Sequence, residues 1–311
     1  MFIDNLIDKI EKTNNPSVVG LDPILEFIPK FIINENFEKF GKNLKGAAGA
    51  ILDFNKRIIN EVYDIVPCVK LQLGCYEMYG IEGMIAFNET IKFAKEKKLL
   101  IIADGKRNDI GSSAGYYSKA FLGKTTIWDE LSDSAFDVDA LTVNPYLGED
   151  GIIPFLEDCE KYDKGIFVLV KTSNKSSGQF QDKTFENSGK MYEVVANHVN
   201  TWGEKLIGKH GYSSVGAVVG ATYPEQASEL RKLMKSIYFL VPGFGAQGGT
   251  AKDVARSFDK AGKGAIINAS RSIMWAYKSD KWKNEYSHED FALASRAEAI
   301  SMRDAIVNVI K

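Results

Sequence analysis

The run LLIIADGKRNDIGSS, from Leu99 to Ser113, places four charged residues, Asp104, Lys106, Arg107 and Asp109, at the end of an otherwise apolar strand. Residues two apart on a strand share a face, so Asp104 and Lys106 point the same way and the backbone holds an acid beside a base. A solvated turn is the structural alternative, but charges on a buried strand are paired and often functional. Lys70 interrupts a second apolar run, two residues before Gln72 and on the same face, with Asp104 expected on the adjacent strand. Lys70, Asp104, Lys106 and Asp109 together would supply two ammonium groups and two carboxylates, neutral as a set and needing no metal for compensation. A fixed ammonium in such a set can stabilise developing negative charge. A purely structural ion network is the other reading.

A second constellation lies near the far end of the chain. The segment VPGFGAQGG, from Val241, contains a literal G-x-G-x-x-G in Gly243, Gly245 and Gly248. The dinucleotide fingerprint belongs after the first strand of a βαβ unit, whereas this one follows the seventh apolar run of eight. In a closed barrel the loops after strands seven and eight form the phosphate site, with backbone N–H groups facing the anion. Gln247 and Arg271 would complete it, the planar guanidinium matching a pair of phosphate oxygens. A plain turn for the glycines and a surface ion pair for Arg271 are the alternatives.

These residues need elements to position them. Short apolar runs recur with helical stretches between: SVVGLD from Ser17, CVKLQL from Cys68, LIIADG from Leu100, ALTVNP from Ala140, IFVLVK from Ile166, VGAVVG from Val215, YFLVPG from Tyr238 and GAIINAS from Gly264. Near-continuous apolar strands alternating with helices imply a parallel sheet covered on both faces, and eight units close most naturally into a (β/α)8 TIM barrel. An open doubly wound sheet is the competing arrangement. The runs end in Asp22, Lys70 with Gln72, Asp104 with Lys106, Asn144, Lys171 to Ser173, Gly243, and Ser270 with Arg271. A barrel gathers such C-terminal ends on one face. The expected organisation is a single α/β barrel domain over 1–311. MFIDNLIDKIEK forms an amphipathic N-terminal helix, and DFALASRAEAISMRDAIVNVI forms the last helix. The polar segment NKSSGQFQD, from Asn174, reads as a mobile loop over the site.

Composition narrows the function. A net charge of −2 with 45% hydrophobic and 26% charged residues offers no basic face for nucleic acid. Cys68, Cys75 and Cys159 are too scattered for a disulfide framework or a metal site and fit a reducing cytoplasm. His198, His210 and His288 stand alone, which leaves zinc chemistry and a serine-type triad unsupported. The N-terminus is neither a signal nor a transit peptide, and no apolar run approaches membrane-spanning length.

With these residues assembled, the chain resembles the orotidine 5′-phosphate decarboxylase family over most of its length. The centre of the likeness is D-x-K-x-x-D-I, present as Asp104, Lys106, Asp109 and Ile110, with Lys70 and Asp22 matching the preceding lysine and the strand-one aspartate. VNPYLG, VKTSN, VPGFGAQGG and NASRSIMW resemble the longer, bacterial-type branch. The resemblance implies a cofactor-free lyase of de novo UMP synthesis acting on orotidine 5′-phosphate as a cytoplasmic homodimer. It implies that Lys106 protonates C6 of the pyrimidine, Asp104 lies beside the substrate carboxylate, Lys70 orients Asp104 and the ribose, and Asp109 reaches over from the other subunit. Asp22 and Gln72 would face the ribose hydroxyls and Thr172 or Ser173 the pyrimidine amide, with Ile110, Asn144 and Pro242 also at the substrate. Gln247, Gly248 and Arg271 would hold the phosphate, and Gln179 or Gln181 would bridge from the pyrimidine side.

The nearest competitor is a metal-dependent sugar-phosphate decarboxylase or aldolase of the same barrel type. Its hard-cation site needs a second acid, and the second strand offers Lys70 and Gln72, with no carboxylate before Glu77. A Schiff-base aldolase needs a neutral lysine, and two flanking aspartates keep Lys106 charged. A non-enzymatic nucleotide sensor on a degenerate barrel is the third reading, against which the intact charged set argues.

Overall fold

Each of the eight apolar runs forms a strand in the computed structural model, which describes residues 1–245 and 248–310. They are β1 (Ser17–Leu21), β2 (Cys68–Gln72), β3 (Leu100–Arg107), β4 (Ala140–Val143), β5 (Gly165–Lys171), β6 (Ser213–Val219), β7 (Ile237–Pro242) and β8 (Ala265–Ala269). All pair in parallel in chain order, and β8 closes on β1 with Ser17 opposite Ile267. The sheet is therefore a closed (β/α)8 barrel, and the open-sheet alternative falls. Continuous burial along β1, β6 and β8 follows from helices packing outside and side chains filling the inside.

Apolar side chains form two layers. One lies between the strands and the surrounding helices, among them Leu44–Val62, Gly80–Glu96 and Phe291–Ile310. The other fills the barrel itself, with Val18, Cys68, Ile102, Phe167, Leu240 and Ile266 at its centre. The helix Phe2–Thr13 plugs the end of the barrel opposite the strands' C-termini, burying Phe2, Ile3, Leu6 and Ile7 in this inner layer. Each such side chain contributes about 1.5–3 kcal/mol. The rings of Phe2 and Phe167 meet edge to face at 6.2 Å. Gly165 makes room for this, since a Cβ there would lie 2.2 Å from Phe2.

Two features were not foreseen. Short hairpins join Thr125–Trp128 to Leu131–Asp133 and Thr184–Phe185 to Gly189–Lys190, both inside connections expected to be helix or loop. The second is a register irregularity in β3. Ala103 pairs with Leu141 and Arg107 with Val143, so the β3 stretch is two residues longer than its β4 counterpart. Lys106 sits inside this bulge with φ at 48°, in the left-handed region that side-chain-bearing residues seldom occupy.

Candidate active site

The barrel lifts Lys70, Asp104 and Lys106 to the C-terminal mouth and surrounds them with a cavity of about 550 Å³. Lys70, 3% exposed, comes from the inner face of β2, where Gly20 is its β1 neighbour. Its Nζ lies 3.1 Å from Asp22 Oδ1 and 3.0 Å from Asp104 Oδ2. Asp104 is opposite Gln72 in the β2–β3 register and is the hub of the site. Its Oδ1 accepts from Lys106 Nζ at 2.6 Å and from the Thr142 hydroxyl at 2.9 Å, and Gln72 Nε2 donates to Oδ2 at 3.1 Å. Four donors thus converge on one buried carboxylate.

The electrostatics follow from this packing. Burial alone would raise the Asp104 pKa, yet the Lys70 and Lys106 ammonium groups and their hydrogen bonds hold it well below the ordinary carboxylate value. Burial likewise works against the Lys70 ammonium, and Asp104 and Asp22 more than reverse it, driving its pKa upward. Both groups are locked in their charged forms across the physiological range.

Asp104 and Lys106 do meet, but simple alternation along a regular strand is not what aligns them. Lys106 is brought back to Asp104 through the β3 bulge and its left-handed backbone, whose N–H donates to Thr142 Oγ1 at 2.9 Å. Thr142 therefore fastens both the acid and the base, and the sequence reading passed over it. The signal was present: a hydroxyl at an inward position of the otherwise apolar ALTV strand. Arg107, third of the four charges in the opening run, turns away to pair with Glu77.

Asp22 rather than Asp109 is the second carboxylate of the network within one chain. Asp109 lies past the strand, accepting the Ile110 N–H at 2.8 Å, and Ile110 is 58% exposed. Asn144 Oδ1 accepts the Tyr146 N–H at 3.1 Å as a turn cap, and the residue is not part of the cavity lining. A small amide just beyond a strand end satisfies the local backbone more readily than a distant ligand. Thr172, Ser173 and Pro242 line the cavity, and of the two glutamines in the following loop Gln181 does so while Gln179 stays outside. The NKSSGQFQD segment is a 3₁₀ turn over Lys175–Gln179 packed against the barrel.

At the opposite rim Gly243 and Phe244 line the mouth with Arg271, which is exposed and makes no ion pair among the described residues. Gly248 has φ at 95°, a conformation that suits glycine, and its N–H closes a turn onto the Gly245 carbonyl at 2.8 Å, just outside the lining. Gln247 lies outside the described residues. Asn268 at the end of β8 also lines the cavity and was not singled out, because INAS reads as one more strand end. Among the described residues no three His, Cys, Asp or Glu side chains gather as metal ligands would.

Fold and site together define a (β/α)8-barrel protein with a charged cavity where such barrels carry their active sites. Comparison with known proteins sharpens this. The family model described as Orotidine 5′-phosphate decarboxylase / HUMPS family matches residues 49–282, and the chain belongs to that family. The orotidine 5′-phosphate decarboxylase of Caldicellulosiruptor saccharolyticus is 42% identical over 305 residues, covering 98% of this chain and 97% of its relative. The protein of the same name from Clostridium perfringens strain SM101 is 42% identical over 310 residues, covering 100% and 99%. Among solved structures, Leishmania donovani OMP decarboxylase superposes with a TM-score of 0.70 at 26% identity, over 98% of this chain and 99% of that one.

Proposed function

We propose that the protein is a carboxy-lyase that converts orotidine 5′-phosphate to uridine 5′-phosphate and carbon dioxide in pyrimidine biosynthesis. The observation that carries this is the Lys106 ammonium, 2.6 Å from a carboxylate that Lys70 backs from behind, at the mouth of the barrel. In the reaction the bond from C6 to the carboxylate breaks, its electron pair stays on C6, and a proton passes from Lys106 Nζ to C6 as carbon dioxide leaves. Lys106 is then reprotonated from solvent, to which its side chain is 44% exposed.

Electron density left on an sp² carbon sets a high barrier, and its reduction must approach about 20 kcal/mol. Repulsion between Asp104 and the substrate carboxylate supplies at most about 4 kcal/mol at 4 Å and an effective dielectric of 20. The four donors on Asp104 lower that further. The larger share falls to the ammonium groups, fixed in place before the substrate arrives, and to remote binding energy from the phosphate end. In this reading Asp22 and Gln72 meet the ribose, Thr172, Ser173 and Gln181 the pyrimidine, and Gln247, Gly248 and Arg271 the phosphate, with Pro242 beneath the ring. No cofactor takes part.

The active unit is a homodimer in which Asp109 and Ile110 enter the neighbouring site. Exposed Ile110 and Tyr116, the latter 71% accessible, support an apolar face beside that loop. A cytoplasmic setting suits three cysteines that are free, and no helix among the described residues is long and apolar enough to cross a membrane. The test is loss of orotidine 5′-phosphate absorbance with purified protein in excess chelator. Full turnover is expected; no turnover, or recovery only with added magnesium, overturns the assignment in favour of a metal-dependent relative.

A further inference from the structure

Lys171 is a buried charge outside the Asp22–Lys70–Asp104–Lys106 network. It ends β5 with its side chain 0% exposed, a placement tolerated only when an ammonium is fully paired. Its Nζ lies 2.7 Å from Asp182 Oδ1 and 3.3 Å from Ser177 Oγ, and 4.4 Å from the centre of the Tyr223 ring. Asp182 and Ser177 belong to the loop after β5, whereas Tyr223 belongs to the loop after β6.

Around this ammonium the two loops are stitched into one wall. Thr222 Oγ1 donates to the Ser173 carbonyl at 3.1 Å, and Tyr223 OH donates to the Asn174 carbonyl at 3.4 Å. Gly220 lies so close to Ser173 that a Cβ would come within 2.7 Å of its nitrogen. One residue before Asp182, Gln181 closes a ring with Thr172: Oε1 accepts the Thr172 N–H at 2.9 Å and Nε2 donates to Thr172 Oγ1 at 2.8 Å. Thr172, Ser173 and Gln181 face the cavity, while Lys171 does not.

We propose that Lys171 is a positioning residue for the decarboxylation: through Asp182 it holds Gln181 and the Thr172–Ser173 turn as a preformed seat for the pyrimidine ring. The proposal rests on the reading that this side of the cavity receives the pyrimidine. It assigns the wall's rigidity to a buried cation that never meets the substrate. Lys171→Met removes the charge and keeps the stem, so contacts to the base weaken while those to the ribose and phosphate stand.

The experiment compares affinities for uridine 5′-phosphate and ribose 5-phosphate, which share the phosphate and sugar but not the base, in the wild-type enzyme, Lys171→Met, Gln181→Ala and the double variant. Loss of one or two neutral hydrogen bonds predicts about tenfold weaker uridine 5′-phosphate binding in Lys171→Met, with ribose 5-phosphate nearly unchanged. The double variant is expected to be no weaker than Lys171→Met alone, because both changes empty the same seat. Parallel loss of both ligands would mean a general structural role and overturn the proposal. Normal uridine 5′-phosphate binding in Lys171→Met beside weakened binding in Gln181→Ala overturns it while sparing the placement of the pyrimidine. Unchanged binding in Gln181→Ala removes that placement and the proposal with it. Should Lys171→Met fail to fold, Asp182→Ala cuts the same tether from its more exposed side and carries the same expectations and refutations.

Discussion

Replacing Thr142 by valine isolates how much of the catalytic arrangement depends on a single hydroxyl. Valine keeps the side-chain shape in a strand position that is 1% exposed, so packing is conserved while two hydrogen bonds vanish. One is the 2.9 Å bond to the Asp104 carboxylate, and the other is the 2.9 Å bond from the Lys106 N–H. A bond to a charged group is worth about 1.5–3 kcal/mol and a neutral one about 0.5–1.5. Water reaches the exposed Lys106 side and recovers part of the second, leaving a net loss of about 2–3 kcal/mol. If that loss falls on the transition state, kcat/KM drops about 30- to 160-fold. The mechanism of loss is specific: without its anchor the left-handed turn at Lys106 relaxes and the ammonium leaves its alignment with Asp104. Steady-state turnover of orotidine 5′-phosphate is the assay, with uridine 5′-phosphate affinity as the control for an intact pocket. Thr142→Ser keeps the hydroxyl and is expected to restore most of the activity. A Thr142→Val enzyme within about threefold of wild type would refute the claim that this hydroxyl sets the geometry of the base.

Three further outcomes are expected. Because Asp104 has a folded-state pKa below its ordinary 3.8, its contribution to stability is present above that value and is lost as pH falls below it. Denaturant titrations should therefore show a shallower acid limb in Asp104→Asn than in wild type, and an identical limb would contradict the assignment. Lys106→Gly and Lys106→Ala should both be inactive, but glycine relieves the positive φ and should leave the protein about 1 kcal/mol more stable than alanine does, as read by unfolding. Equal stabilities would mean that the turn carries no strain. Mixing inactive Lys106→Ala and Asp109→Ala proteins under subunit exchange should recover roughly a quarter of wild-type activity, since half the dimers are mixed and each mixed dimer has one intact site. No recovery despite proven exchange would return Asp109 to its own subunit's site.

Much of the barrel was legible because each strand is short, apolar and followed by a residue type that a strand end alone does not explain. Lys70, Asp104 and Lys106 stood out for the same reason, since charge inside an apolar run is chemically expensive. What escaped was set by register. Nothing in ADGKR announces that β3 carries two more residues than its β4 partner, and that difference creates the left-handed turn at Lys106. Thr142 escaped because its importance lies in which neighbour it faces. Asn144 follows the last residue of β4 and caps a turn there, and a small amide at a strand end looks the same in sequence whether it caps the backbone or meets a ligand. Asp22 was read as a ribose contact, and the pairing of β2 between β1 and β3 reveals that it also shares the Lys70 ammonium with Asp104.

The plug formed by Phe2–Thr13 has a consequence for biosynthesis. Its seat is lined by Phe167 and Gly165 from the middle of the chain and by Ile266 from near the end. At a synthesis rate of about 5–20 residues per second, the helix is made roughly 10–30 s before Phe167 exists and waits longer still for β8. During that interval its apolar stripe has no partner from its own chain. The helix is therefore complete well before the seat it docks on, and it spends that interval as an amphipathic segment open to chaperones and to other unfinished chains.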